Sequence, residues 1–294
     1  MTSPPRLLAV MGATATGKTD VAEAIAAEWG AMLINADAYQ VYLGLDIGTA
    51  KPTNTHLYEL LDLKEVTASY SVGEFVERAH VLLDNAFSQS RDVVVVGGTG
   101  LYVRALMEEY DTMAGPPDQR LREELNEIFL TQGLDPLVQR LRDGDPVTAS
   151  KVDLRNPARV KRAIERMECD HVAGKSLPAF IRAKAATCLE NSKQNEHIQH
   201  RVGKMVQNGW VDEVRRFRNA GYSADAPGFR AIGYRDIWQM LDGELEQDAA
   251  IASVVLETCR YAKRQRTWLR SEPNLTFLRS ETTDGRLSEI RNLF

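Results

Sequence analysis

Apolar positions divide the chain into two kinds of segment. Leu7-Leu8-Ala9-Val10-Met11 is a short unbroken run that ends in glycine, the pattern of a strand buried on both faces, and 21–29 then takes up helical spacing. Residues 31–35 and 92–96 read as two more such strands, the latter through successive valines. Beyond them the pattern becomes amphipathic, predicting helices over 121–130, 134–141 and 157–167, with turns at Gly144-Asp145-Pro146 and Gly174-Lys175-Ser176. Helical spacing returns over 198–217, 234–241 and 249–269, and Leu275-Thr276-Phe277-Leu278 reads as a last strand. The expected organisation is an α/β core of 1–114 and 186–294, a parallel sheet flanked by helices. It is interrupted by a helical insertion domain over 115–185 that follows Met113-Ala114-Gly115-Pro116-Pro117.

The first strand runs into Gly12-Ala13-Thr14-Ala15-Thr16-Gly17-Lys18-Thr19, which fits G-x-x-x-x-G-K-[ST] in the context that gives it meaning, after a strand and at the start of a helix. Backbone N–H groups of such a loop cradle phosphate oxygens, with Lys18 to neutralise them and the Thr19 hydroxyl to ligate Mg2+. The core is therefore expected to be P-loop NTPase-like. Asp37 follows the second strand, at the carboxyl end of the sheet where chemistry gathers; it suits a general base, or simply a loop cap. The third strand ends in Gly97-Gly98-Thr99 with no acid, which argues against the usual magnesium-holding Asp of P-loop hydrolases.

Charge and cysteine usage narrow the class. The 294 residues carry a net charge of -5, against indiscriminate nucleic-acid binding, yet basic residues outnumber acids over 151–184 and cluster again at Arg260, Lys263, Arg264, Arg266 and Arg270. Cys169, Cys188 and Cys259 form no metal or disulfide pattern, and the five histidines form no cluster, so a reducing, cytoplasmic setting is expected. The first ten residues leave no room for a signal peptide, and no segment approaches the roughly 20 apolar residues of a membrane span. No membrane partner is expected.

The P-loop, together with Asn35-Ala36-Asp37-Ala38-Tyr39-Gln40, Asp46-Ile47-Gly48-Thr49-Ala50-Lys51-Pro52, Gly97-Gly98-Thr99-Gly100-Leu101-Tyr102, Asn156-Pro157-Ala158-Arg159-Val160 and Ala231-Ile232-Gly233-Tyr234, resembles the tRNA dimethylallyltransferases, or isopentenyltransferases. The resemblance continues through Ala262-Lys263-Arg264-Gln265 and covers nearly the whole chain. It implies transfer of a dimethylallyl group from its diphosphate to N6 of adenine 37 in tRNAs reading UNN codons, by a monomer that takes the anticodon stem-loop and uses Mg2+. It also implies that Asp37 is the base, that Thr99 orients the amine and that Lys18 assists the leaving diphosphate. The whole loop from Gly12 through Ala13, Thr14, Ala15, Thr16, Gly17 and Lys18 to Thr19 would bind that diphosphate. Contacts to tRNA are implied for Asp37, Ala38, Tyr39, Gln40, Thr99, Arg122, Ala158, Arg159, Val160, Lys161, Arg162, Arg230, Gly233, Tyr234, Arg235, Lys263, Arg264 and Gln265.

The chain departs from the family pattern at Ala38, Leu43 and Tyr58-Glu59. It also carries Asn191 where an Arg implicated in diphosphate binding is usual, and His197 in place of another Arg. An adenylate prenyltransferase, a small-molecule kinase and a non-catalytic tRNA-binding relic remain as alternatives. The long insertion and the Gly-Gly-Thr-Gly-Leu-Tyr form count against the first.

Overall fold

A computed structural model describes residues 3–108, 119–168 and 176–294. The chain divides into two compact units, one of 1–108 with 177–294 and one of 109–176. In the first, β1 (Arg6–Gly12) leads through the P-loop into α1 (Lys18–Trp29) and β2 (Met32–Asn35). After a long connection come β3 (Tyr58–Glu59), α2 (Val72–Ser88), β4 (Val93–Gly97) and α3 (Gly100–Met107). The second unit supplies α4 (Gln119–Gln132), α5 (Asp135–Gly144), α6 (Pro146–Ala149) and α7 (Pro157–Glu168). The first unit resumes with β5 (Ile181–Thr187), α8 (Asn191–Gln207), α9 (Trp210–Asn219), α10 (Tyr234–Leu241), α11 (Gln247–Arg270), β6 (Leu275–Leu278) and α12 (Thr283–Arg291).

All strand pairings are parallel, in the order β3-β2-β4-β1-β5-β6. Alternation along β1 explains why both faces are covered. Leu7, Ala9 and Met11 pack on Phe75, Leu83 and Leu106 from α2 and α3. Leu8 and Val10 pack on Ile25 of α1 and Ile290 of α12. A further cluster joins α8 to α11 with Val41 and Leu45 of the β2–β3 connection. The second unit has its own core, Leu121, Leu125, Leu137, Leu141, Val160 and Ile164.

Two expectations are corrected. The insertion ends earlier than 185, because Ile181–Thr187 is a strand lying between β1 and β6. Its Arg182 and Lys184 hide it among helical patterns; alanines let the flanking layers approach, and buried Lys184 donates to Glu272 at 2.9 Å. The helix expected over 198–217 is broken in two, since Gly209 adopts φ 96° and starts α9 afresh. The breaks expected at 113–117 and at Gly174-Lys175 lie outside the described residues.

Candidate active site

The P-loop is braced by side chains from the far end of the sequence. A Cβ on Gly12 would lie 2.3 Å from Thr187 Oγ1, so only glycine lets β1 pass β5 there. Thr16 Oγ1 contacts Thr187 Oγ1 at 2.7 Å and donates to the Ala13 carbonyl at 2.8 Å, which turns this side chain toward the sheet. Gln265 of α11 accepts the Thr14 N–H at 2.8 Å and donates to the Gly98 carbonyl at 2.9 Å. Gln194 of α8 donates to the Thr14 carbonyl at 2.8 Å, and Arg286 of α12 donates to that of Thr16 at 3.1 Å. Not every residue of the loop opens on the polar cavity. Ala15, Gly17, Lys18 and Thr19 line a polar cavity, whereas Gly12, Ala13, Thr14 and Thr16 do not, and the Thr14 N–H is already engaged.

Asp37 is held at the mouth of β2 by its neighbours. Asn35 Oδ1 accepts the Asp37 N–H at 3.2 Å, while its Nδ2 donates to the Leu60 carbonyl, also at 3.2 Å. Asp37 Oδ1 accepts the Tyr39 N–H at 3.0 Å. Thr99 does not cap its own helix, for its Oγ1 accepts the Ala38 N–H at 3.1 Å and keeps its hydroxyl hydrogen for another acceptor. A Cβ on Gly97 would fall 2.2 Å from the Ala36 carbonyl oxygen, which is why β4 can bring Thr99 this close.

Lys18, Asp37, Gln40 and Arg201 line both the P-loop cavity and an adjoining, largely apolar cavity of about 280 Å³. The two spaces thus share a wall of two cations, a carboxylate and an amide. Burial, and then the Arg201 guanidinium, push Lys18 down to about 8, with Asp37 opposing. Arg201 sits beside the Thr14 hydroxyl at 3.5 Å, and burial lowers it also. Asn191, at the usual Arg position, lines neither cavity, while Arg201 lines both. A third cavity, beside Gly98, Thr99 and Leu101, is walled by Trp268, Tyr261 and Arg264; the last two also line the apolar cavity.

The residues expected to contact RNA differ in how far their side chains are engaged within the protein. Val160 is fully buried in the core of its unit. Tyr234 is fully buried and donates to Glu213 at 2.7 Å, and Gly233 lies under Trp210, where a Cβ would sit 2.3 Å from the ring. The Gln265 amide is engaged on both loops, and Gln40 donates to the Thr49 and Ala50 carbonyls at 3.1 and 3.0 Å, leaving only its oxygen. Arg122 and Arg162 both donate to buried Glu165, and Lys161 to Asn126. Ala158, Arg159, Arg230, Arg235, Lys263 and Arg264 are exposed. Apolar neighbours at helical spacing mark Trp210, Trp238 and Trp268 as core residues; the first two are buried, whereas Trp268 is only partly buried and walls the third cavity.

Sequence reasoning passed over Arg201, Asn35 and Gln194. An Arg among Ile198, Val202 and Met205 on one helical stripe was the available signal for the first; the two amides carry none. Thr19 and Asp20 present oxygen donors to the polar cavity, but the described residues contain no group of three or more His, Cys, Asp or Glu able to hold a metal alone. No described helix is long and apolar enough to cross a membrane.

The family described as IPP transferase matches residues 40–272. The tRNA dimethylallyltransferase 2 of Geotalea daltonii is 34% identical, covering 91% of this chain and 85% of that protein. The tRNA dimethylallyltransferase of Geobacillus thermodenitrificans is 32% identical over 91% of this chain and 88% of its own length. The solved full-length tRNA isopentenylpyrophosphate transferase of Bacillus halodurans superposes with a TM-score of 0.71 at 31% identity, covering 98% of this chain and 94% of that one. A eukaryotic dimethylallyltransferase solved acting on tRNA, 18% identical, shares the fold with a TM-score of 0.76 over 93% of this chain and 73% of its own. With the family model matching 40–272 and relatives 32–34% identical over 91% of its length, the chain belongs to the IPP transferase family of prenyl-transferring enzymes.

Proposed function

We propose that the chain transfers the dimethylallyl group of dimethylallyl diphosphate to N6 of adenine 37 in tRNAs reading UNN codons, giving N6-isopentenyladenosine. The observation that carries this reading is the shared wall of Lys18, Asp37 and Arg201 between a polar P-loop cavity and an apolar one. Cations on that wall suit a departing diphosphate, and a carboxylate beside them suits an attacking amine.

An exocyclic adenine amine is a poor nucleophile, its lone pair being delocalised into the ring. As N6 bonds to the allylic carbon, Asp37 takes the amine proton, and the C–O bond breaks with its electron pair on the diphosphate. Lys18 and Arg201 stabilise that charge from positions fixed in advance, which is the larger part of such catalysis. Thr99, its oxygen engaged by Ala38, orients the amine toward the base. The Gln40 carbonyl oxygen, free of partners among the described residues, is an acceptor for the adenine edge.

Thr19 and Asp20 fit Mg2+, a hard cation that keeps water and phosphate oxygens as most of its ligands, so the lack of a protein cage is no obstacle. When bound, the ion neutralises diphosphate charge. The adenine has to leave its stack to reach Asp37, and Arg159, Arg230, Arg235, Lys263 and Arg264 are the exposed cations suited to the RNA backbone.

Labelled dimethylallyl diphosphate offered with unmodified tRNA, AMP or ATP tests the reading, with mass spectrometry of the anticodon-loop nucleosides. Label on adenine 37 is the expected result. Label on AMP or ATP instead would make the chain an adenylate prenyltransferase, and tRNA binding without transfer would make it a relic.

A further inference from the structure

One face of α8 lines the apolar cavity. Ile198, Arg201, Val202 and Met205 recur along it at helical spacing, a charge among three apolar side chains. Arg201 belongs to the P-loop cavity as well, and the other three do not. Met205 lies one turn past Arg201, roughly 6 Å along the helix axis, with Trp210 and Val254 also in the wall. Ile198, Val202, Trp210 and Val254 are at most 3% exposed within a single packed cluster, so this wall does not yield. Met205 packs on the cluster from its edge and is only partly covered.

We infer that Met205, with Val202 beside it, sets the length of prenyl tail the enzyme accepts. The inference rests on the reading that the diphosphate occupies the P-loop cavity. With its head held by Lys18 and Arg201, a donor has its tail directed past Asp37 along the apolar stripe of α8. A dimethylallyl tail stops short of Met205. The second isoprene unit of a geranyl tail meets the thioether there, with the buried residues behind it unable to retreat. The bonds made and broken are the same for either tail: N6–C forms, C–O breaks toward the diphosphate and the N6 proton passes to Asp37. Met205 thus acts on which donor fits and leaves the chemistry unchanged.

The test compares kcat/KM for dimethylallyl and geranyl diphosphate, with an anticodon stem-loop as acceptor, in the wild type, Met205→Ala, Val202→Ala and Met205→Leu. Met205→Ala is expected to raise the geranyl-to-dimethylallyl ratio by roughly tenfold or more, the usual scale for a change in pocket size. Met205→Leu, of similar volume, is expected to keep the wild-type ratio. An unchanged ratio in both alanine variants, in protein that melts as the wild type does, overturns the inference. So does a rise in KM for the stem-loop with the donor ratio untouched, which assigns the wall to RNA. Failure of the wild type to transfer dimethylallyl at all sinks the underlying reading instead, and the control separates the two.

Discussion

The Thr99 hydroxyl oxygen accepts the backbone N–H of Ala38 at 3.1 Å, tying the end of β4 to the peptide that follows Asp37. The bond occupies one lone pair of the hydroxyl and leaves its hydrogen available to an acceptor. Thr99→Ser keeps the arrangement and is expected to retain most activity. Thr99→Val loses both the tie and the donor, and its kcat is expected to fall about tenfold to a hundredfold with donor KM little changed. Asp37→Ala removes the base itself and should cost about a hundredfold to ten-thousandfold in kcat. Single-turnover transfer to a stem-loop checks all three, and a Thr99→Val enzyme as fast as Thr99→Ser would remove Thr99 from the orienting role.

Lys18 gives the donor site an alkaline limit. Burial and then Arg201 hold the free-enzyme ammonium at about 8, below its ordinary 10.5. The protonated form binds diphosphate, so kcat/KM for the donor should be level below that pH and fall about tenfold per unit above it. Arg201→Met takes away the neighbouring positive charge. It should weaken donor binding while moving the alkaline limb to higher pH, since the repulsion that lowers Lys18 is gone. A limb unmoved by that substitution would mean a different group titrates.

What the sequence disclosed follows from which forces are local. The valine run at β4 and the apolar run at β1 read as strands because sheets buried on both faces need apolar side chains throughout. Helix α2 was not among the predicted elements, although Ser71, which accepts the Glu74 N–H at 3.2 Å, is an N-cap residue type. β5 was concealed because Lys184 is neutralised by Glu272, 88 positions away, a pairing no window contains. The family motifs located the P-loop and Asp37, yet they could not separate residues that face a ligand from those that hold the loop. Gln265 and Tyr234 sit within such motifs, the first bonding the loop backbone and the second the Glu213 carboxylate. Arg201 was legible in principle, as a cation on an apolar helical stripe.

Glu213 shows how much of the long β2–β3 connection hangs on a single side chain. It is 2% exposed and accepts the N–H groups of Asp46 and Ile47 at 2.8 Å, that of Gly48 at 3.2 Å and the Tyr234 hydroxyl at 2.7 Å. Truncation to Ala leaves the buried Tyr234 hydroxyl and three less buried N–H groups without their acceptor, and a buried donor left unpaired costs about 1 to 3 kcal/mol. Glu213→Ala is therefore expected to destabilise the fold by about 1 to 3 kcal/mol and to release the segment carrying Gly48 and Thr49, which line the apolar cavity. Thermal unfolding measures the first effect. Hydrogen exchange at residues 46–48 measures the second, and protection equal to the wild type there would show that the loop is held by other contacts.

Arg159 and Val160 are neighbours on α7 with opposite environments, and that separates binding from stability within the second unit. Arg159 is exposed and, among the described residues, has no ion pair; Val160 is fully buried against the leucines of α4 and α5. If the exposed side of α7 meets RNA backbone, Arg159→Ala should weaken tRNA binding uniformly and reduce the slope of log affinity against log salt by about one, with melting unchanged. Val160→Ala should lower stability by about 2 kcal/mol, the scale for small core truncations, and leave the salt slope alone, because no charge has been removed. Titrations at several salt concentrations, read beside thermal melts of the same preparations, distinguish the two. A Val160→Ala enzyme with wild-type melting and a changed salt slope would mean that this side chain, and not its neighbour, faces the RNA.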